Sequence, residues 1–177
     1  YTGSKYTQGA AIGGLGLLLD LEGKDRHASF GSALGFAGPG AVAAVIDVAG
    51  DDDYQCGRKY PSAYNTSIKP APKPGDANFQ YTAIGMGAGL GRRVLSNDRS
   101  HLQYNLAGGV GITVNLADPD TTDSSNFSPP CGYLSRPGLI PELMGNHTHV
   151  ARRHRHPSGT HISTALLIFP ARIHTFT

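Results

Sequence analysis

The sequence predicts an all-β fold, a repetitive β-solenoid-like architecture with units of about 27 residues. Three observations lead to this prediction: a segment that recurs along the chain, apolar runs too short and too rich in glycine for stable helices, and glycine-aspartate turns after the runs. An up-and-down antiparallel β-sheet built of repeated hairpins is the alternative, because it also combines short strands with tight turns.

The repeat is visible as a segment at residues 16–27, GLLLDLEGKDRH, which returns 27 residues later at 43–54 as AAVIDVAGDDDY. Both copies carry aspartate at the fifth position, glycine at the eighth and aspartate at the tenth. A third copy at 111–122 keeps the apolar run and the last aspartate, Asp120, but has Asn115 in place of the first one. The same positions therefore recur in a fixed register, as stacked structural units require.

The repeat also predicts the organisation of the domain. We expect a single repeat domain over residues 1–177 and, because the sequence begins and ends within units, a fragment of a longer protein. A stretch rich in proline and lysine at 59–78 is expected to form an insertion loop, since proline donates no ladder hydrogen bond. Residues 129–177 keep the 27-residue spacing but lose the motif, so we interpret them as degenerate C-terminal repeats.

Each apolar run is predicted to be a buried strand. Glycine recurs at every second or third position near residues 13–16, where each would cost a helix about 1 kcal/mol, and β-branched residues are frequent at 42–48. Gly23 and Gly50 then supply the turns. The continuous apolar character of the runs predicts burial on both faces or a tightly filled interior.

The aspartates after the strands are candidate metal ligands. Stacked equivalent positions lie about 4.8 Å apart, which would put Asp20 over Asp47 and Asp25 over Asp52. Two unit charges at that distance repel by about 0.9 kcal/mol in water and about 3.5 kcal/mol at an effective dielectric of 20. A calcium ion bound by oxygen ligands would offset the repulsion. The predicted ligands are Asp20, Asp25, Asp47, Asp51, Asp52 and Asp53. The alternative is a solvated acidic turn without metal.

Two resemblances rest on these motifs. Residues 8–120 resemble uncharacterised bacterial Gly/Asp repeat proteins with Gln-Gly followed by units of the form Gly-Leu-Leu-Leu-Asp-Leu-x-Gly-x-Asp-x-Tyr, a likeness that implies no known activity. Residues 23–25 and 50–52 resemble the turns of RTX-type calcium-binding repeats, in which glycine permits the turn and aspartate offers oxygen ligands. The complete Gly-Gly-x-Gly-x-Asp pattern is absent from the sequence, and the period is 27 rather than nine.

The histidines of the C-terminal part give a second metal hypothesis. His147 and His149 form one His-x-His pair, and His154 and His156 form another, which is geometry that can bind zinc. However, His147 and His149 fall in the register of Asp25 and His27, so decay of a repeat explains them without a metal.

Charge and composition narrow the function. A formal net charge of +2 and the lack of aromatics within the arginine-histidine stretch argue against a nucleic-acid partner, and the longest apolar stretch is too short for a membrane span. The sequence predicts a noncatalytic structural or surface-binding β-repeat scaffold, stabilised by calcium, secreted or at the cell surface. Its partners would be neighbouring repeats, a second copy or a surface polysaccharide. The alternative function is a carbohydrate-active hydrolase or lyase on the same β-solenoid.

Overall fold

The computed structural model describes residues 1–91, 108–116 and 120–124, together with the backbone of six later strands. These residues contain fourteen β-strands, one short 3₁₀ helix (Ala63–Ser67) and no α-helix, so the fold is all-β. The strands are β1 (Thr2–Gly3), β2 (Leu15–Asp20), β3 (Arg26–Ser29), β4 (Val42–Asp47), β5 (Asp53–Cys56), β6 (Gly89–Leu90), β7 (Val110–Asn115), β8 (Thr121–Ser124), β9 (Cys131–Tyr133), β10 (Pro137–Pro141), β11 (His147–Ala151), β12 (Ser158–Thr160), β13 (Thr164–Ile168) and β14 (His174–Phe176).

The strands form three sheets. The first sheet has the order β1-β3-β5-β8-β11-β14, the second β2-β4-β7-β10-β13, and the third β6-β9-β12. From β4 onward the chain visits the second, first and third sheets in turn, and it repeats this order through to β14. Each sheet therefore receives one strand from each successive unit.

All pairings between these strands are parallel, so the alternative of antiparallel hairpins is wrong. Parallel neighbours need a connection that returns the chain to the same end of the sheet, which a tight hairpin cannot do. The register follows the sequence repeat: Asp20 pairs with Asp47, and Asp47 pairs with Asn115. The prediction that Asp20 lies beside Asp47 is confirmed.

The interior is narrow and filled mainly by small and medium side chains. Three buried clusters contain alanines together with a few larger residues, among them Leu34, Phe36, Val45 and Met86. Alternation along β2 and β4 sends every second residue into this interior, ending with the aspartate at the strand terminus. The repeated aspartates are therefore delivered to the inside of the fold.

The opposite face of the second sheet excludes one of the two sequence-based alternatives for the described strands, burial on both faces, and leaves the other, a filled interior. Leu15, Leu17 and Leu19 on β2 are 51–79% exposed, and Val42 on β4 is 44% exposed. In the described part of the chain, the apolar runs are thus buried by their inward residues while the outward ones face solvent.

The proline-rich segment leaves and rejoins the sheets through a short stem. Pro61 and Tyr81 form an antiparallel bridge, and the Thr82 amide donates to the Tyr60 carbonyl at 2.7 Å. The described ranges contain no helix with the length and apolarity that a membrane crossing requires.

Candidate functional site

The candidate site lies at the corner where the second sheet passes into the first. Each of the first two units contributes three elements there: the inward aspartate that ends a strand of the second sheet, a turn, and an inward residue of the next strand. In the first two units the turn contains Gly23 or Gly50, whose φ angles of 148° and 149° are unfavourable for other residues.

The turns are joined by a ladder of carboxylate hydrogen bonds. The Asp25 amide donates to Asp52 Oδ1 at 2.7 Å, and the Asp52 amide donates to Asp120 Oδ1 at 2.8 Å. Asp52 and Asp120 thus each accept a hydrogen bond from the backbone of the preceding unit. This use of the carboxylate is structural and accounts for the aspartate at the tenth position in the second and third units.

A first group of carboxylates is almost completely buried. Asp47, Asp52 and Asp120 are 1–4% exposed, and one oxygen from each lies within 4.8 Å of the others. Tyr54 donates its hydroxyl hydrogen to Asp47 Oδ2 at 2.9 Å, and Asn115 Nδ2 donates to Asp120 Oδ2. When both carboxyls are ionised, Asp47 Oδ1 and Asp52 Oδ2 are, among the described residues, buried without a hydrogen-bond donor.

The electrostatics of this group favour neutralisation. Burial is the main cause that raises the pKa of Asp47 to about 7, and a hydrogen bond and negative charge from Asp52 add to it. Burial, followed by the charges of Asp47 and Asp52, raises the pKa of Asp120 to about 9. Burial also raises the pKa of Tyr54, which keeps its hydroxyl a donor to Asp47. The group therefore takes up protons readily, and a cation could serve in their place.

A small cavity of about 20 Å³ lies beside these residues. Its walls include Asp47, Asn115 and Asp120, and Asn115 Oδ1, at a residue 5% exposed, has no partner within the described part of the chain. The cavity exists where the third unit has Thr122 in the position that Tyr54 fills in the second. Its size suits one water molecule, but most of its lining is apolar, with Leu34, Val45 and Met86 among the wall residues.

A second group contains a histidine. Asp20, His27 and Asp52 also offer ligand atoms within 4.8 Å of one another. His27 Nε2 lies 3.0 Å from Asp20 Oδ2, and His27 Nδ1 lies 3.1 Å from Gln8 Oε1. The two groups share Asp52, and both could hold a metal ion.

The structure separates the predicted ligands into two sets. Asp20, Asp47 and Asp52 belong to these groups, whereas the other three do not among the residues described. Asp51 is exposed, Asp53 pairs with Arg26 at 3.2 Å, and Asp25 contributes its amide to the ladder. Three consecutive aspartates cannot all face one ion, because neighbouring side chains of an extended segment point in opposite directions.

Sequence reasoning missed two members of the groups. Asp120 stands in the register of Asp25 and Asp52, so the repeat itself could have identified it. His27 gave no such signal, because its partner Gln8 is 19 residues away. The paired histidines of the C-terminal part, considered above for zinc, have side chains outside the described residues.

Comparisons with family models, with curated proteins and with solved structures find no match for this chain. The resemblance to bacterial Gly/Asp repeat proteins and to RTX-type turns therefore stays a prediction.

Proposed function

We propose that the chain is a noncatalytic β-solenoid scaffold whose stacked units are stabilised by calcium. The solenoid is supported by the 27-residue register shared by the parallel pairings of the first two units and by those of β10 with β13 and β11 with β14. It is also supported by the constant order in which the chain visits the three sheets. Stacking of equivalent positions on parallel neighbours is the arrangement that a solenoid requires.

The observation that carries the calcium proposal is the buried carboxylate group. Three carboxylates at 1–4% exposure would repel one another strongly if all were ionised. Asp47 Oδ1 and Asp52 Oδ2, which lack a partner in the described ranges, are oxygen donors of the kind that calcium binds. The amide oxygen of Asn115 lines the adjoining cavity and offers a further ligand of the same chemistry.

A single substitution tests this proposal. Asp47→Asn copies the residue that the third unit has at the paired position, Asn115, so the variant is expected to fold. Calcium at 100 times its dissociation constant should stabilise the wild type by about 2.7 kcal/mol, which corresponds to an increase in melting temperature of about 5–11 °C. In Asp47→Asn we expect most of this increase to disappear, because a charged ligand is lost.

The control is Asp51→Asn, which removes a charge from the same turn at an exposed position. It should keep the full calcium-dependent increase measured by thermal circular dichroism. A wild-type melting temperature that is the same in millimolar calcium and in chelator would exclude the calcium proposal, as would an undiminished response in Asp47→Asn.

The alternative function, a carbohydrate-active enzyme, receives less support from the geometry. Glycoside hydrolysis needs two carboxylates that reach the scissile bond from either side. Asp47, Asp52 and Asp120 are shielded inside the fold, and the exposed Asp53 is engaged by Arg26. An enzyme would need a carboxylate pair that a sugar can approach.

The proposed scaffold also limits the partners. Among the described strands β2 lies at the end of the second sheet, so a further repeat unit could pair with its edge, and a second copy could cover its exposed leucines. A surface polysaccharide and a secreted or cell-surface location remain proposals that follow from the scaffold interpretation alone.

A further inference from the structure

His27 is a buried histidine whose ring faces are already occupied. The residue is 0% exposed, and its ring stacks between Tyr1 and Tyr54 at centroid distances of 5.0 Å and 4.9 Å. The interplanar angles of 13° and 8° show nearly parallel rings. Only the two nitrogens at the ring edge are left for polar contacts.

The hydrogen bonds around Gln8 determine which nitrogen carries the proton. Gln8 Nε2 donates to the Ala28 carbonyl at 2.9 Å, so Gln8 Oε1 is the atom that faces His27 Nδ1. An amide oxygen only accepts, and Nδ1 must therefore carry the hydrogen. In the neutral ring, Nε2 then presents its lone pair to Asp20 Oδ2, which is also an acceptor. A proton on Nε2, which would make the contact an ion pair, or a metal ion bound by both atoms resolves this conflict.

A third ligand is available at the same place. Asp52, which is 3% exposed, offers one carboxylate oxygen within 4.8 Å of the ligand atoms of Asp20 and His27, and its Oδ2 has no hydrogen-bond partner in the described part of the chain. One imidazole nitrogen and two carboxylate oxygens form a ligand set that zinc accepts, with a fourth position left open. Gln8 would then orient the ring through Nδ1, as the partners of metal-bound histidines commonly do.

Comparison with the next unit shows that this chemistry is confined to the first one. The Gly35 amide donates to the Gln8 carbonyl, which aligns Gln8 with Leu34, and His27 pairs with Tyr54. In the second unit, the tyrosine hydroxyl simply donates to the aspartate at the end of the strand. The first unit thus replaces an apolar residue and a tyrosine with the glutamine and histidine that a metal site needs.

We propose that Asp20, His27 and Asp52 bind a zinc-class divalent cation, at a site separate from the calcium group except for their common aspartate. Gln8 is a positioning residue that fixes the histidine tautomer. Because Asp52 belongs to both groups, its variants cannot separate the two proposals, and His27 and Asp47 are the residues that can.

The test is His27→Tyr in the full chain, since this substitution copies Tyr54 and its contact to Asp47. Zn²⁺ affinity is measured by competition with a chromophoric chelator, and Co²⁺ provides a visible spectrum that reports nitrogen and oxygen coordination. We expect the wild type to bind one more equivalent of Zn²⁺ than His27→Tyr. The Co²⁺ absorption bands that arise from this site should be absent from the spectrum of the variant. The calcium-dependent increase in melting temperature should persist in His27→Tyr. The zinc proposal and the calcium proposal can therefore fail independently of each other.

Gln8→Leu provides a second test that keeps the histidine. Leucine is the residue of the next unit at this position, and loss of the orienting contact should weaken Zn²⁺ binding about 10- to 100-fold. Equal Zn²⁺ binding by the wild type and His27→Tyr would overturn the proposal, as would an unchanged affinity in Gln8→Leu. Nitrogen NMR that finds both His27 ring nitrogens protonated in the presence of excess Zn²⁺ would also overturn the proposal. In that case a proton, and not a metal ion, would lie between His27 Nε2 and Asp20.

Discussion

Replacing Gly50 with alanine should destabilise the protein by about 3 kcal/mol or more. A Cβ atom at this position would lie 2.3 Å from the Gly23 carbonyl oxygen, which belongs to the backbone of the preceding unit. The φ angle of 149° adds strain for any residue with a side chain. Neither unit can move away without breaking the ladder that joins Asp25 to Asp52. The expected decrease in melting temperature is about 6–12 °C.

Two further variants isolate the cause of this loss. Gly23→Ala has nearly the same φ of 148°, but its Cβ would meet only the Asp25 carboxylate, a side chain that can rotate. The difference between the two variants therefore measures the cost of separating the stacked units. Gly14→Ala, where a Cβ meets nothing within 4 Å, should stay within about 0.5 kcal/mol of the wild type. Equal losses in Gly50→Ala and Gly23→Ala would show that close stacking is not the cause.

The stacking itself could be predicted from the sequence because parallel pairing preserves register. When equivalent residues pair, as Leu15 with Val42 and Asp20 with Asp47, the sequence offset between units equals the structural offset. The offset between the second and third units is longer, 68 residues from Asp47 to Asn115, and the insertion accounts for part of it, yet the two residues still pair. The insertion leaves and returns at one stem. Register depends on the strands, and loop length affects it little.

Burial was harder to predict than register. A continuous apolar run is typical of a strand covered on both faces, but the leucines on the outward side of β2 are exposed. Composition does not distinguish the two cases, because Leu17 and Leu18 are identical residues that point in opposite directions. The burial of Asp47 and Asp52 could not be predicted from the sequence either, because acidic residues are mostly exposed to solvent.

The histidine group could not be predicted because it depends on contacts between distant positions. His27 was visible only as a departure from the tyrosine of the repeat, and Gln8 lay outside the recurring segment. Their contact arises where the first sheet faces the loop before β2. A sequence repeat identifies the residues that the units have in common. The histidine group is formed by residues that occur in the first unit and are replaced in the second.

The carboxylate group predicts a pH dependence that is opposite to ordinary acid denaturation. In the unfolded chain Asp47 and Asp120 have a pKa near 3.8, but in the folded protein the values rise to about 7 and about 9. The folded state therefore holds more protons, and stability must fall as pH rises. The contribution is complete below about pH 4 and is lost as the pH passes through the two folded-state values.

In chelator, the melting temperature of the wild type should therefore decrease between pH 5 and pH 9. The expected loss is several kcal/mol, because each unit of pKa difference between the folded and the unfolded protein corresponds to about 1.4 kcal/mol. Asp47→Asn should show a flatter profile because it removes one of the two titrating carboxyls, while the exposed Asp51→Asn should follow the wild type. A melting temperature that rises between pH 5 and pH 9 without metal would contradict this assignment.

Calcium should reverse the decrease in melting temperature, and its effect should be larger at high pH. Carboxylate ligands must be deprotonated to bind, so protons and calcium compete for Asp47 and Asp120. At pH 5 these two carboxyls are already protonated, and added calcium should change the melting temperature little. At pH 9 the same calcium concentration should restore most of the lost stability. A calcium response of equal size at both pH values would place the ion elsewhere, because only binding at these carboxyls requires their protons to leave first.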